Sequence, residues 1–404
     1  MPSAPPDGDP APADGRLPET ALAGLGERGF SIYVHIPYCA SRCGYCDFNT
    51  YTAAELGAIP GTSQDAYVNA AIAELELAQR VLGSAPKVQS VFFGGGTPTA
   101  LPAPRLAGLL GAIADRFDLA ADAEITTEAN PESVDADYLH TLAEAGFTRL
   151  SLGMQSASEP VLAVLERRHT PGRVAEVVAA ARQAGFGSIS LDLIYGTPTE
   201  TEADWQASLG QALSLQPEHV SAYSLIVEAG TRLAARVSRG ELPDIDDDLH
   251  ADRYQVADAL LSAHGYRNYE VSNWAKPGDE CRHNLAYWHG DDWWGIGAGA
   301  HSHIGGVRWW NRRHPRDYTS RLETGHSPAE ARELLSDVER HTEKVMLELR
   351  LAEGLAIEEL SPAEILRAEP FLDRRLLERA HGRLRLTASG RLLADAVIRD
   401  LLAF

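Results

Sequence analysis

Six short runs of apolar, β-branched and aromatic residues recur through the first half of the chain: "SIYVHIP" from Ser31, "VQSVFFGGG" from Val88, "EITTEANP" from Glu124, "RLSLGMQS" from Arg149, "SISLDLIYG" from Ser188 and "HVSAYSLIV" from His219. Each ends in Gly, Pro, Asn or other polar signals, which predicts strands. Between them the apolar residues fall three and four apart, as on an amphipathic helix. "QDAYVNAAIAELELAQRVL" is one such segment; "SVDADYLHTLAEAGF" offers Ser133 as a cap, and "TPGRVAEVVAAARQAGF" puts Pro171 in a first turn and Gly185 at its close. Six βα units predict parallel strands joined by right-handed crossovers. A closed TIM barrel has eight, so the expected fold is α/β, a partial (β/α)6 TIM-like barrel, with its chemistry at the C-terminal ends of the strands.

The pattern changes near Asp244. An acidic loop, "LPDIDDDLHADRY", opens a long helix, and the Gly-rich stretch from Asn268 to Asn311 holds six of the seven tryptophans. Beyond about Pro315 the chain reads as mainly helical, with "GRLRLTASGRLLADAVIRDLL" as a small hairpin or wing before a final helix. The start, "MPSAPPDGDPAPADG", is rich in Pro, Ala, Gly and Asp and lacks the basic and apolar regions of a signal peptide. The expected divisions are a disordered tail over 1–28, the barrel core over 29–245, an extension over 246–315, and a C-terminal mainly helical, winged-helix-like domain over 316–404.

The formal net charge is −21, which disfavours nucleic acid and anionic membrane as general partners. No apolar run approaches the roughly 20 residues of a transmembrane helix. A cytoplasmic protein is expected. Four cysteines are too few for a disulfide framework, and three of them, Cys39, Cys43 and Cys46, sit in "CASRCGYC" just after the first strand. Three soft thiolates suit iron–sulfur or zinc. A zinc site normally takes a fourth protein ligand, and the remaining cysteine, Cys281, is far away in sequence.

"CASRCGYC" resembles the cluster motif of the radical S-adenosylmethionine superfamily, and "FFGGGTPT" from Phe92 resembles its glycine-rich motif. With "YVHIPYC" and "SLDLIYGTP", the chain is similar to the HemN/HemW branch over almost all its length after residue 30. The resemblance implies a [4Fe-4S] cluster on Cys39, Cys43 and Cys46, with one iron open to chelate S-adenosylmethionine; the reduced cluster would then release a 5′-deoxyadenosyl radical. It also implies cofactor contacts at Tyr33, Tyr45, Gly95, Gly96, Thr97, Glu128, Gln155, Arg167 and Asp192. The glycines would let backbone peptide groups reach the methionine amine. Glu128 would meet the ribose hydroxyls or the amine, Gln155 the ribose, Arg167 the methionine carboxylate, and Asp192 the cofactor's polar edge. Taken singly, Tyr33 can be a packed strand residue and Glu128 or Asp192 an ordinary ion-pair partner.

Two functions compete within the branch: oxygen-independent coproporphyrinogen III oxidase, and a haem chaperone that binds haem and hands it to apoproteins. The oxidase motif continues with a fourth cysteine where this chain has Phe48, and the oxidase carries an ordered segment before its first strand. Both differences favour the chaperone. So does "HNLAYW", His283 to Trp288, which matches the H-N-x-x-Y-W motif of the chaperone group. His283 is a candidate axial haem ligand, its imidazole oriented by an amide and its neighbours Tyr287 and Trp288 covering the macrocycle. If the stretch is helical, Tyr287 shares its face. Cys281, His289, His301 and His303 are rival ligands, and Arg282, Arg308, Arg312 and Arg313 are candidates for the propionates. A radical enzyme with another substrate remains a third class, and no catalytic residue is assigned.

Overall fold

A computed structural model describes residues 7–84, 86–168 and 170–403. The six expected strands form as β1 Phe30–Ile36, β2 Val88–Gly95, β3 Leu119–Ala129, β4 Arg149–Gln155, β5 Ser188–Tyr195 and β6 His219–Ser224. They lie in chain order, each parallel to the next. The sheet stays open. A seventh parallel strand, Asp292–Ile296, pairs with β1, and Asn273–Ala275 pairs antiparallel with β6.

Strand register explains why the barrel interior is not a packed core. One face carries Ile32, Val34, Val91, Phe93, Ile125, Leu150, Leu152, Leu191 and Val220, all 4% exposed or less, against the helices. Residues of the other parity, among them Tyr33, Thr126, Glu128, Arg149, Ser151, Ser190, Asp192, His219 and Ser221, line a central cavity. Each fully buried aliphatic side chain contributes about 1.5–3 kcal/mol. A one-residue slip would exchange the two sets and press carboxylates against the helices, so the register is strongly specified.

The helix Gln64–Leu82 follows the apolar stripe, burying Tyr67, Ala71, Leu75, Ala78 and Leu82, and Ser63 caps it by accepting from Ala66 N at 3.2 Å. Two starts differ from expectation. Asp135, not Ser133, caps the helix Ala136–Glu144: it accepts from Tyr138 N at 2.8 Å, while Ser133 ends the preceding 3₁₀ turn Pro131–Ser133. Pro171 lies before the helix Arg173–Ala184, because Gly172 at φ +80° is left-handed and cannot be a helical residue.

The expected divisions also shift. From Asp7 on, the segment read as a disordered tail lies along the molecule. Asp9 and Pro10 pair with Arg332 and Ala331, Ser327 N donates to Ala13 O at 2.8 Å, and Leu17 and Ala21 are buried. Its Ala, Gly and Pro residues lose little side-chain entropy on docking, and Pro is tolerated at a sheet edge. The stretch 246–315 is not a separate unit: Trp274, Trp294 and Trp309 share the barrel's core cluster. Its chain crosses from the β6 edge to the β1 edge through the short helix Arg282–Trp288, which closes the N-terminal end of the barrel. Ala329–Leu334 still belongs to the large sheet, pairing with Val307–Asn311. The C-terminal unit therefore starts near Ser336, with its own core around Val345, Leu355, Phe371 and Leu384 and a three-stranded sheet beside its helices.

Candidate functional site

The strands enclose one cavity of about 810 Å³. Its wall includes every residue singled out above for the cluster and cofactor: Tyr33, Cys39, Cys43, Tyr45, Cys46, Gly95, Gly96, Thr97, Glu128, Gln155, Arg167, Asp192 and His283. At the C-terminal end, the cysteine loop is tied down through its backbone. Gly96 N donates to Ile36 O and Thr97 N to Tyr38 O, each at 2.8 Å, and Gly44 N donates to Leu165 O at 3.0 Å. A Cβ on Gly96 would stand 2.7 Å from Tyr38 O and 3.0 Å from Cys39 Sγ, so only glycine fits. Gly95 N donates to Glu128 Oε2 at 3.1 Å. With these N–H groups occupied, the turn's carbonyl oxygens are what an ammonium group can use, and an ammonium needs acceptors.

All three loop thiols are free and half-buried. Burial pushes Cys39 up to about 11 and raises Cys46. Arg167 reaches Cys43 Sγ with Nη1 and Gly153 O with Nη2, both at 3.3 Å. A cluster takes each thiolate on a different iron, and the Arg167 guanidinium beside the thiols suits an anionic group. The thiolate is the ligand, so loading releases protons. Iron incorporation under constant sulfide is therefore expected to speed up severalfold per pH unit between about pH 7 and 9. A rate that is flat or falls over that range would show that thiol ionisation does not limit assembly.

Below the loop, burial and then the charge of Asp192 push Glu128 up to about 8. Asp192, itself raised by burial, accepts from Ser151 Oγ at 3.0 and 2.9 Å and from Ser190 Oγ at 3.3 Å. Gln155 sits at φ +63° beside a register shift in β4, a bulge that re-aims its side chain. Tyr45 packs against the small apolar cluster that includes Val161, Leu165 and Leu233.

The opposite end is closed by Arg282–Trp288. Glu124 receives that helix's first N–H groups, from Arg282 at 3.1 Å (Oε2) and His283 at 3.1 Å (Oε1), a carboxylate where a helix start favours one. Tyr287 shares a face with His283, as a helix predicts. Both imidazole nitrogens of His283 are engaged, Nδ1 with Ser90 Oγ at 2.8 Å and Nε2 with Tyr287 Oη at 2.9 Å, and the ring stacks on Phe92. Burial drives its pKa down to about 3, so it is neutral. The expected amide support is absent: Asn284 Nδ2 turns to Tyr269 Oη at 3.3 Å and Glu270 Oε1 at 3.4 Å. Cys281 also lines the cavity, its thiol 3.5 Å from Glu124 Oε1 and pushed by burial up to about 12.

The other rivals lie off the cavity wall. His303 is bonded at both nitrogens, His289 sits 3.6 Å from Glu353, and His301 stacks on Trp310. Arg282 pairs with Asp122, and Arg308 with Glu333 and Glu343. Sequence reasoning missed His35, Arg149, Ser151, Ser190, His219 and Ser221. The polar alternation within "RLSLG", "SLDL" and "HVSAY" was the signal that marks most of them as facing inward.

Comparison with known proteins bears on the family and the fold. The model of the radical SAM superfamily matches residues 33–212, and that of the HemN C-terminal domain matches residues 335–393. Heme chaperone HemW of Mycobacterium tuberculosis (strain ATCC 25618 / H37Rv) is 52% identical over 381 residues, covering 94% of this chain and 97% of that one. HemW of Escherichia coli (strain K12) is 40% identical over 293 residues, 71% of this chain and 75% of its own. Among solved structures, E. coli coproporphyrinogen III oxidase (HemN), a radical SAM enzyme, superposes with a TM-score of 0.82 over 96% of this chain and 94% of its own, at 24% identity, a likeness of fold. The chain belongs to the HemW family of the radical SAM superfamily.

Proposed function

We propose that this protein binds haem and passes it to apoproteins, and that its barrel holds a [4Fe-4S] cluster and S-adenosylmethionine. The observation that carries the reading is that one cavity is shared by three thiols, a glycine turn, Glu128, Gln155, Arg167 and Asp192 towards one end and the H-N-x-x-Y-W helix at the other. When bound, the cluster supplies single electrons and an open iron for the cofactor's methionine end. The chain's own residues do the rest. Arg167 offers a guanidinium to the methionine carboxylate, Glu128 and Gln155 offer acceptors to the ribose or amine, and Asp192 is preset by its serines. The plug helix keeps water from entering below.

For haem, His283 is the first candidate ligand, and its geometry imposes a condition. Nε2 accepts iron only after the Tyr287 hydroxyl lets go. Haem titration of the reconstituted protein tests this. His283→Ala is expected to weaken haem binding about tenfold or to move the Soret band, with iron–sulfur content unchanged. Tyr287→Phe, which removes one competing hydrogen bond, is expected to strengthen binding about fivefold. Cys281→Ala should do less. An unchanged titration and spectrum for His283→Ala would remove that residue and leave Cys281 as the next candidate. The same preparation should not convert coproporphyrinogen III, since Phe48 stands, 62% exposed, where the oxidase has its fourth cysteine. Robust turnover would restore the oxidase reading.

A further inference from the structure

The Gly-rich turn "GAGA", Gly297 to Ala300, takes no part in the chemistry above. We infer that this turn brackets the exit of the cysteine loop through Asn49, making Asn49 a positioning residue for the cluster and for the Tyr33 hydroxyl; the inference rests on the cluster reading of that loop.

Asn49 lies three residues beyond Cys46. Its Nδ2 donates to Ala298 O at 3.0 Å and to Arg313 O at 2.8 Å, so one side chain ties the loop to two segments about 250 residues later. Its own carbonyl accepts from His35 Nε2 at 2.9 Å. A carbonyl can only accept, so the His35 proton is on Nε2 and Nδ1 is the acceptor. Tyr33 Oη, 3.1 Å from that Nδ1, must therefore donate to it. With its proton committed, Tyr33 presents lone pairs to the cavity and can receive a ligand N–H or O–H.

The turn is held from behind. Glu74 accepts from Gly297 N at 2.8 Å, Asn311 Nδ2 at 2.7 Å and Tyr318 Oη at 2.6 Å, while Tyr67 Oη accepts from Ala298 N at 2.9 Å and donates to His35 O at 2.7 Å. The approach is possible only for glycine. Gly297 has φ +111°, and a Cβ on it would meet His35 O at 2.6 Å. Gly299 has φ +75°, and a Cβ on it would meet Asn49 Nδ2 at 2.5 Å.

The test compares the parent with Asn49→Ala, Asn49→Asp, Gly299→Ala and the double variant Asn49→Ala/Gly299→Ala. Asn49→Asp keeps the size and removes the donor. Both Asn49 variants are expected to load iron but to bleach about tenfold faster in air, and to lose the change that S-adenosylmethionine makes in the cluster's EPR spectrum, with Tm little changed. Gly299→Ala should shift the same way. The double variant should fall short of the sum of the two single effects, because the clash with Asn49 is gone and only the strain of a left-handed alanine at position 299 remains. In the cluster-free proteins, amide hydrogen exchange over residues 47–51 should quicken in both Asn49 variants. Exchange, bleaching and EPR response all matching the parent, or strictly additive effects in the double variant, would overturn the bracket. If the parent takes no cluster, the cluster reading fails, and the exchange comparison still decides the bracket.

Discussion

Cys39→Ser, Cys43→Ser and Cys46→Ser are each expected to reduce iron after anaerobic reconstitution to background, whereas Cys281→Ala keeps it. A serine hydroxyl is a hard, weakly acidic donor and a poor substitute for a thiolate on iron. Losing one of three anchors leaves no neighbour to replace it. Cys281 cannot serve, because its thiol is held at Glu124, on the layer of Ser90. That layer is five residues down β2 from Gly95, about 16 Å at a strand's rise per residue. The readouts are iron and sulfide per chain and the visible charge-transfer absorption. A tightly bound zinc ion that needs all four cysteines would refute the assignment.

The second large effect concerns Glu128→Gln. In the ligand-free protein the carboxyl is held near neutrality by burial and by Asp192. Whether it meets ribose hydroxyls or an ammonium, it must act as an acceptor, which favours its ionised form. S-adenosylmethionine affinity should therefore rise with pH up to about 8, as the proton becomes easier to release. Glu128→Gln should bind at least tenfold more weakly and lose that slope, since a neutral amide gives up the charge-assisted bonds. Stability should move the other way. The folded pKa lies above the unfolded one, so the parent's stability is full below about pH 4.5 and falls as pH rises to about 8. The variant lacks this loss, so the ligand-free variant should melt above the parent at pH 8.5 and match it near pH 5. Equal affinity and an equal pH slope in both proteins would show that Glu128 does not touch the cofactor.

Much of this protein was legible locally. Strand composition, helical spacing and Gly or Pro punctuation act over a few residues, so the six strands and the helix Gln64–Leu82 follow from the order of residues alone. The cysteine spacing, the glycine turn and "HNLAYW" were likewise legible, because each is a short segment whose chemistry lies in its own side chains. The polar alternation of the strands was present too. It becomes a cavity only because neighbouring strands share register, which puts Glu128 beside Ser151 and Asp192 beside Ser221.

Tertiary structure decided what depends on distant partners. The opening segment has too little apolar surface to fold alone, yet it docks where Arg332 and Ser327 offer backbone partners. The tryptophan-rich stretch joins both edges of the sheet because its strands complete hydrogen bonds that β1 and β6 leave open. His283 looks like a free ligand in the sequence. In the fold its two nitrogens are taken by Ser90, 193 positions earlier, and by Tyr287. Asn49 meets Ala298 across 249 positions. A side chain's type is local, but which polar atoms remain unpaired is settled only when strands and crossing segments are brought together.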